Sequence, residues 1–314
     1  MTDTRDRYTT QVGFGPEARE LITRALAPRE TEPVVRAGTY VVDPPFFGNG
    51  DIGRVAVCGA VNDLAATGAD PRHLALGLVL EAGLPLDLVH RLTASIREAA
   101  AEAGVTVAAV DTQVVRAGEA DRVYVTATAF GERQGPPLGP DRVRPGDRVV
   151  VTGPLGDHAA HLLSLRDGLG YEHHVPSDCA PLTALLREAR DSLHHARPIA
   201  AGGLAETLRL TATARRLTLR VDESALPVSY ETRVALATRG LAPLDAACAG
   251  RLCLFVPADR ADSVLAALHA RPEGRHAAVV GEVTADPTGD IEYVAPDGPT
   301  ARTPSAGPLP ERLL

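Results

Sequence analysis

The sequence predicts an α+β protein of two domains, and three observations carry that reading. Its 314 residues are about twice the roughly 150 residues usual for one domain. Apolar periodicities run helix, strand, helix, strand, strand through the first half, a mixed order and not a regular strand–helix alternation. A stretch dense in Gly and Pro, from Gly131 to Asp147, then interrupts the pattern and reads as a linker. The expected boundaries are an N-terminal domain over 1–135, a C-terminal domain over 146–300 and a flexible tail over 301–314.

The elements follow in order. Pro16 to Leu26 reads as a helix, with Pro16 in a tolerated first-turn position and Ala18, Leu21, Ile22 and Ala25 at helical spacing. Thr39 to Val42 is extended. Asp51 is placed to cap a helix that runs to about Gly68. His73 to Leu80 suits a buried strand, and Leu86, Val89, Leu92 and Ile96 outline a helix stopped by Gly104. Val105–Val115 and Arg122–Phe130 are strands. Beyond the linker come a strand at Arg148–Thr152, helices at Ala159–Asp167, Asp178–Leu193 and Leu204–Arg216, and strands at Leu217–Val221, Leu252–Val256, Ala278–Val283 and Ile291–Val294.

Composition narrows the function. Hydrophobic residues make 45% and charged residues 23%, a globular balance. A net charge of −8 offers no broad basic surface, so nucleic acid is not an expected partner. No apolar run approaches the roughly 20 residues that cross a bilayer, and the start MTDTRDRYTTQ carries no signal-peptide core. The four cysteines, Cys58, Cys179, Cys248 and Cys253, lack metal-ligand spacing, which suits a reducing cytoplasm.

Candidate chemistry concentrates in FFGNGDIGRVAVCGAVNDLAATGADP, Phe46 to Pro71. Asp51 is either a plain cap or a site residue, and Asn62-Asp63 either a solvated helix turn or a pair of ligands. Asp111-Thr112 lies inside the apolar strand VTVAAVDTQVV. A carboxylate there is costly unless it meets a cleft, a cation or several donors, and hydroxyl plus carboxylate suit Mg2+ beside a polyphosphate. GPLGDH, Gly153 to His158, is a strand-to-helix turn. Gly156 and Asp157 could present amides to an anion there, or Asp157 could simply cap. His173-His174 and His194-His195 read as surface residues, not metal ligands.

These segments, with LEAGLPLD, VDTQVVRAG, SDCAPL, GGLAETL and VDESALPV, resemble the hydrogenase-maturation carbamoyl dehydratases (HypE) of the aminoimidazole ribonucleotide synthetase-like superfamily, from about Tyr40 onward. The resemblance implies an N-terminal sheet that pairs across a homodimer into a barrel, a C-terminal α+β domain, and ATP between the domains. It implies that Asp63 and Asp111 hold Mg2+ and phosphates, with Asp51, Asn62, Thr112, Gly156 and Asp157 around the nucleotide. Family members phosphorylate the oxygen of a carbamoyl group carried on a C-terminal cysteine and then eliminate phosphate. Phosphorylation makes a poor leaving group a good one.

The chemistry-bearing positions depart from that pattern. The family's Pro-Arg-aliphatic-Cys ending reads Glu311-Arg312-Leu313-Leu314, and its Thr-Thr-Asp is replaced at Ala37-Gly38, which leaves Asp43 as the substitute metal ligand to consider. The lysine after Asp-Thr is Gln113, RPIAAGG replaces Arg-Asp-Pro-Thr-Arg-Gly-Gly, and Asn-Glu-Gly becomes Cys248-Ala249-Gly250. The expectation is ATP-dependent activation of a carboxamide or carbamoyl oxygen on a free substrate. The alternative is an impaired paralogue that partners a HypE or a carbamoyltransferase-like protein.

Overall fold

A computed structural model of the chain describes residues 22, 25, 26, 33–295, 298–300 and 312–314. Met1–Glu32 and Pro33–Leu314 are two compact units. In the first, Ile22, Ala25 and Leu26 are helical, and the remainder of the expected 16–26 helix lies outside the described residues. The second unit holds two large sheets, a two-stranded ribbon and the helices that cover them.

The first sheet contains β1 (Val34–Tyr40), β4 (Ala69–Glu81), β5 (Thr106–Val115) and β6 (Val123–Arg133), in the order β1-β6-β4-β5. The short strands β2 (Phe46–Phe47) and β3 (Gly50–Asp51) form a separate ribbon. β4 and β5 are parallel, so a crossover must join them. That crossover is α2 (Leu86–Ala103), ended by Gly104 in the left-handed conformation. α1 (Ile52–Ala65) starts at Asp51, whose side chain accepts from the Arg54 amide at 3.1 Å. Both ends agree with the sequence reading, because caps are local signals.

β6 alternates buried Val123, Val125, Ala127 and Ala129 with more accessible residues. One face of the sheet therefore packs on the helices, and the other is open. In register across the sheet, Asp111 pairs with Gly77, Gly77 with Thr126 and Thr126 with Thr39. Paired residues share a face, so this row places Asp111 with exposed Thr39 and Thr126 on the open side.

The second sheet has seven strands: β7 (Arg148–Val151), β8 (His195–Pro198), β9 (Leu219–Asp222), β10 (Leu252–Val256), β11 (Ala278–Val283), β12 (Ile291–Ala295) and β13 (Gly298–Thr300). Their order is β13-β12-β9-β11-β7-β10-β8. Helices α3 (Asp157–Asp167), α4 (Thr183–Ala189), α5 (Gly203–Arg215), α6 (Tyr230–Ala237) and α7 (Ala261–His269) complete the described elements. The expected helix over 178–193 forms only over Thr183–Ala189 and one following 3-10 turn, because 177–182 is held against α1. His195, expected at the surface, is buried on β8 and stacks on Phe255. Burial drives its pKa down to about 4, so the ring stays neutral.

The expected flexible tail is only partly described, but 312–314 are docked. Leu313 is buried in the same core as α1 and α3. The Arg312 carbonyl accepts from the Asp43 amide and from Arg166 Nη2, both at 2.8 Å. The Arg312 guanidinium donates to Val41 O and Asp121.

Candidate functional site

The site forms where α1, the segment 177–182, the Gly153–His158 turn and the 248–250 turn meet. Arg54, Cys58 and Asn62 lie four residues apart and so share one stripe of α1. Arg54 Nε donates to Cys179 O at 3.1 Å, Asn62 Nδ2 donates to Ala180 O at 3.0 Å, and Asn62 Oδ1 accepts from the Leu182 amide at 2.7 Å. Asn49 exchanges two hydrogen bonds with the Ser177 backbone. This clamp joins the half built on the first sheet to the half built on the second.

These contacts give two of the expected nucleotide ligands roles in the fold. Asn62 is buried, and both ends of its amide bind backbone. Asp51 is 1% exposed and caps α1, with Arg91 4.0 Å away. Burial raises its pKa against that cap and the nearby Ser95 hydroxyl. Both residues serve the fold.

The three residues of the expected metal set have separate surroundings. Asp63 is exposed on α1, on the helix-covered side, close enough for its charge to act on Tyr40 of β1. Asp111 is exposed on the open face of β5, at the opposite edge. The two carboxylates therefore lie on opposite faces of the first sheet. Asp43 faces Arg122 at 3.5 Å and Arg166 at 3.6 Å, and those pairs occupy its carboxylate. Among the described residues, no group of three or more His, Cys, Asp and Glu side chains could hold a metal. Hard carboxylate oxygens at 63 and 111 do suit Mg2+ in type.

The Gly153–His158 turn is the densest polar feature. Gly156 has φ +84°, where an added Cβ would also lie 2.9 Å from Leu236 and 3.0 Å from Ala246. Its amide donates to Cys248 Sγ at 3.3 Å. Asp157 does not cap α3. Its carboxylate accepts from Thr232 Oγ1 at 2.6 Å, and Ser229 Oγ donates to that hydroxyl. Burial pushes Asp157 up to about 6, the Asp178 charge adds to the rise, and Thr232 and Arg251 oppose it. A carboxyl that titrates there can hold or release a proton near neutral pH.

Sequence reading missed Asp178 and Arg251. Asp178 Oδ1 accepts from the Ala249 amide at 2.8 Å, while Oδ2 lies 3.5 Å from Arg251 Nε. Arg251 also donates to Pro154 O and Gly250 O. His158, in the same turn, is fully buried. Leu313 O can only accept, so Nε2 carries the proton donated to it at 2.7 Å, and Nδ1 accepts from Ser177 Oγ at 2.7 Å. Burial lowers its pKa and keeps this neutral form. No signal in the sequence links residues 157, 178, 232 and 251. Only the fold does.

No described helix is long and apolar enough to cross a membrane. The comparisons agree with this architecture. The N-terminal and C-terminal domain models of AIR synthase related proteins match residues 24–133 and 144–294. Carbamoyl dehydratase HypE of Azotobacter vinelandii is 40% identical over 269 residues, covering 84% of this chain and 79% of its own. A HypE structure in complex with ATP superposes with a TM-score of 0.85 at 34% identity, covering 96% of this chain and 98% of its own. The structure of a HypE–HypF complex gives a TM-score of 0.86 at 28% identity over 95% and 100% of the two chains. Two domain models that together span most of the chain, and a relative at this identity and coverage, place the protein in the HypE carbamoyl dehydratase family of AIR synthase related proteins.

Proposed function

We propose that the protein binds Mg-ATP and activates a carboxamide or carbamoyl oxygen by phosphorylation on a substrate that arrives free. The ATP complex of a relative that matches almost the whole chain supports the nucleotide. The observation that carries the free-substrate reading is the burial of all four cysteines, Cys58, Cys179, Cys248 and Cys253. None offers a thiolate to a carbamoyl donor. Asp63 and Asp111 remain exposed and keep the oxygen chemistry that Mg2+ prefers. Bound Mg-ATP would supply the phosphoryl group and neutralise part of its charge. Thr112 and the Gly156–Asp157 turn are proposed as further nucleotide contacts.

Because one chain keeps Asp63 and Asp111 apart, a shared cation requires a second copy. We propose a homodimer formed along β5, whose outer edge is unpaired among the described residues and whose Val110 and Val114 are 59% and 68% exposed. Such an edge is ready to accept another strand. The HypE–HypF complex of a relative supports a carbamoyltransferase-like protein as a further partner.

The test is titration calorimetry with Mg-ATP on the wild type, Asp63→Ala and Asp111→Ala, joined to phosphate release with and without a small carboxamide. Binding lost in both variants and turnover stimulated by the amide are expected. Neutral Gln113 on β5 favours the second reading, an impaired paralogue that acts as a dimerisation or assembly partner. A wild type that dimerises without binding nucleotide would establish it.

A further inference from the structure

A second polar cleft lies at the far end of the second sheet. The Gly153–His158 turn follows β7 and the 248–250 turn precedes β10, so the site described above sits at one end of these neighbouring strands. At the other end, where β7 and β8 begin and β10 stops, a cavity of about 380 Å³ opens. The five residues of β10, at about 3.3 Å each, put roughly 15 Å between the two. Arg142, Asp191, His194 and Arg260 line the cleft. Arg142 comes from the linker, Asp191 from the 3-10 turn after α4, His194 from the residue before β8, and Arg260 from the 3-10 turn after β10.

His194 is the most firmly set of these groups. Its amide donates to Phe255 O at 2.9 Å, and its carbonyl accepts from the Gly139 amide at 3.2 Å. Nδ1 donates to Asp147 Oδ2 at 2.8 Å, and that buried oxygen also accepts from the Arg144 amide at 2.9 Å. This pairing fixes the ring and its tautomer, which leaves Nε2 as an acceptor with no partner among the described residues. Asp191 is exposed and also has no partner among the described residues. Arg142 uses one nitrogen, Nη1, on Pro137 O, and Arg260 meets only the exposed Asp259, at 3.8 Å. An exposed pair of that length is weak, so both guanidinium groups keep donors for an anion.

We propose that this cleft binds a small hydroxylated phosphomonoester, the class of a sugar phosphate. Its phosphoryl group would lie on Arg142 and Arg260, and its hydroxyls would donate to His194 Nε2 and Asp191. Two guanidinium forks suit the dianion, and two acceptors suit hydroxyl donors. The volume falls in the range of small-molecule sites, and inorganic phosphate by itself would leave both acceptors unmet. A ligand held this way joins the linker, through Arg142, to the end of the sheet. The cleft shares no residue with the proposed Mg-ATP site.

The experiment is titration calorimetry of the purified full chain, without nucleotide, using glucose 6-phosphate, glucose and inorganic phosphate as probes. The sugar phosphate is expected to bind with a dissociation constant of about 1 mM or below, and glucose or phosphate alone at least about 10-fold more weakly. Arg142→Ala and Arg260→Ala should each weaken the sugar phosphate at least about 10-fold. Asp191→Ala should weaken the sugar phosphate and leave inorganic phosphate unchanged. All three side chains are half-buried or exposed, so thermal midpoints of the unliganded variants should match the wild type. Asp63→Ala should bind the sugar phosphate as the wild type does, even where it has lost Mg-ATP. No saturation by about 10 mM sugar phosphate, equal binding of inorganic phosphate, or full affinity in both arginine variants would each overturn the assignment.

Discussion

The two outer strands of the first sheet have opposite fates. β1 is half-covered, with Val34 and Tyr40 buried and α1 packed beside it, while β5 is exposed along most of its length. Polar residues near the covered edge are spent on structure: Asp51 caps α1, Asn62 clamps 180–182, and Asp43 takes two arginines. On β5, Asp111, Thr112 and Gln113 lie exposed on an edge that pairs with no other strand among the described residues. A family motif can therefore hold residues kept for folding beside residues free for chemistry. The contrast predicts which substitutions harm stability and which harm only binding.

The largest effect is expected where the 248–250 turn backs the clamp of the covered side, at Gly250. A Cβ there would lie 2.1 Å from the Asp178 carbonyl oxygen and 2.8 Å from the Ala180 amide nitrogen. Backbone cannot step aside without breaking the clamp. Gly250→Ala should cost more than about 4 kcal/mol, the range reserved for gross steric conflict. Urea unfolding, or failure to accumulate folded protein, would check it. Asn62→Ala comes next. It strands the Ala180 carbonyl and the Leu182 amide, at about 1–3 kcal/mol for each buried orphan, and should lower stability by about 2–4 kcal/mol in total. A loss under about 0.5 kcal/mol would place those groups in water.

The C-terminal half sharpens the comparison with a half-buried carboxylate that opposes folding. Asp157 is raised from 3.8 to about 6, so the folded chain binds the proton more tightly than the unfolded chain. Stability is then greatest below about pH 4 as far as this group is concerned, and its contribution is lost as pH rises through about 6. Removing the charge in Asp157→Asn should stabilise the protein at pH 7.5 by at most about 3 kcal/mol. At pH 4 the difference should disappear. Chemical unfolding at both pH values measures it, and equal gains at both would assign the effect to packing.

Sequence alone disclosed what is local. Asp51 and Gly68 bracketed α1, Gly104 ended α2, and the apolar runs marked β7, β10 and β11. Motif strings supplied the two-domain family. Periodicity assigns a residue to a face of its own element and says nothing about which side of a sheet that element occupies. Asp63 and Asp111, expected together from the family resemblance, lie on opposite faces of the first sheet. The same limit hid the clamp. SDCAPL reads as the start of a helix, yet Arg54 and Asn62, more than a hundred residues earlier, hold it out of helical form. His195 shows the converse, a polar residue in a polar-looking stretch that tertiary packing buries against Phe255.

The smallest stability effect should come from Asp111, and that is what makes it informative. Its side chain is exposed on an edge strand, so Asp111→Asn should change folding stability by no more than about 0.5 kcal/mol, as surface substitutions do. If it holds a cation that bridges to phosphate, the same change removes a charge-assisted contact worth about 1.5–3 kcal/mol. Mg-ATP affinity should fall at least about 10-fold, and less without Mg2+. Parallel unfolding and calorimetric titration separate the two quantities. Unchanged affinity would remove Asp111 from the nucleotide site and leave its β5 position explained by pairing between copies. Unchanged stability with lost affinity would mark β5 as the functional edge of this sheet.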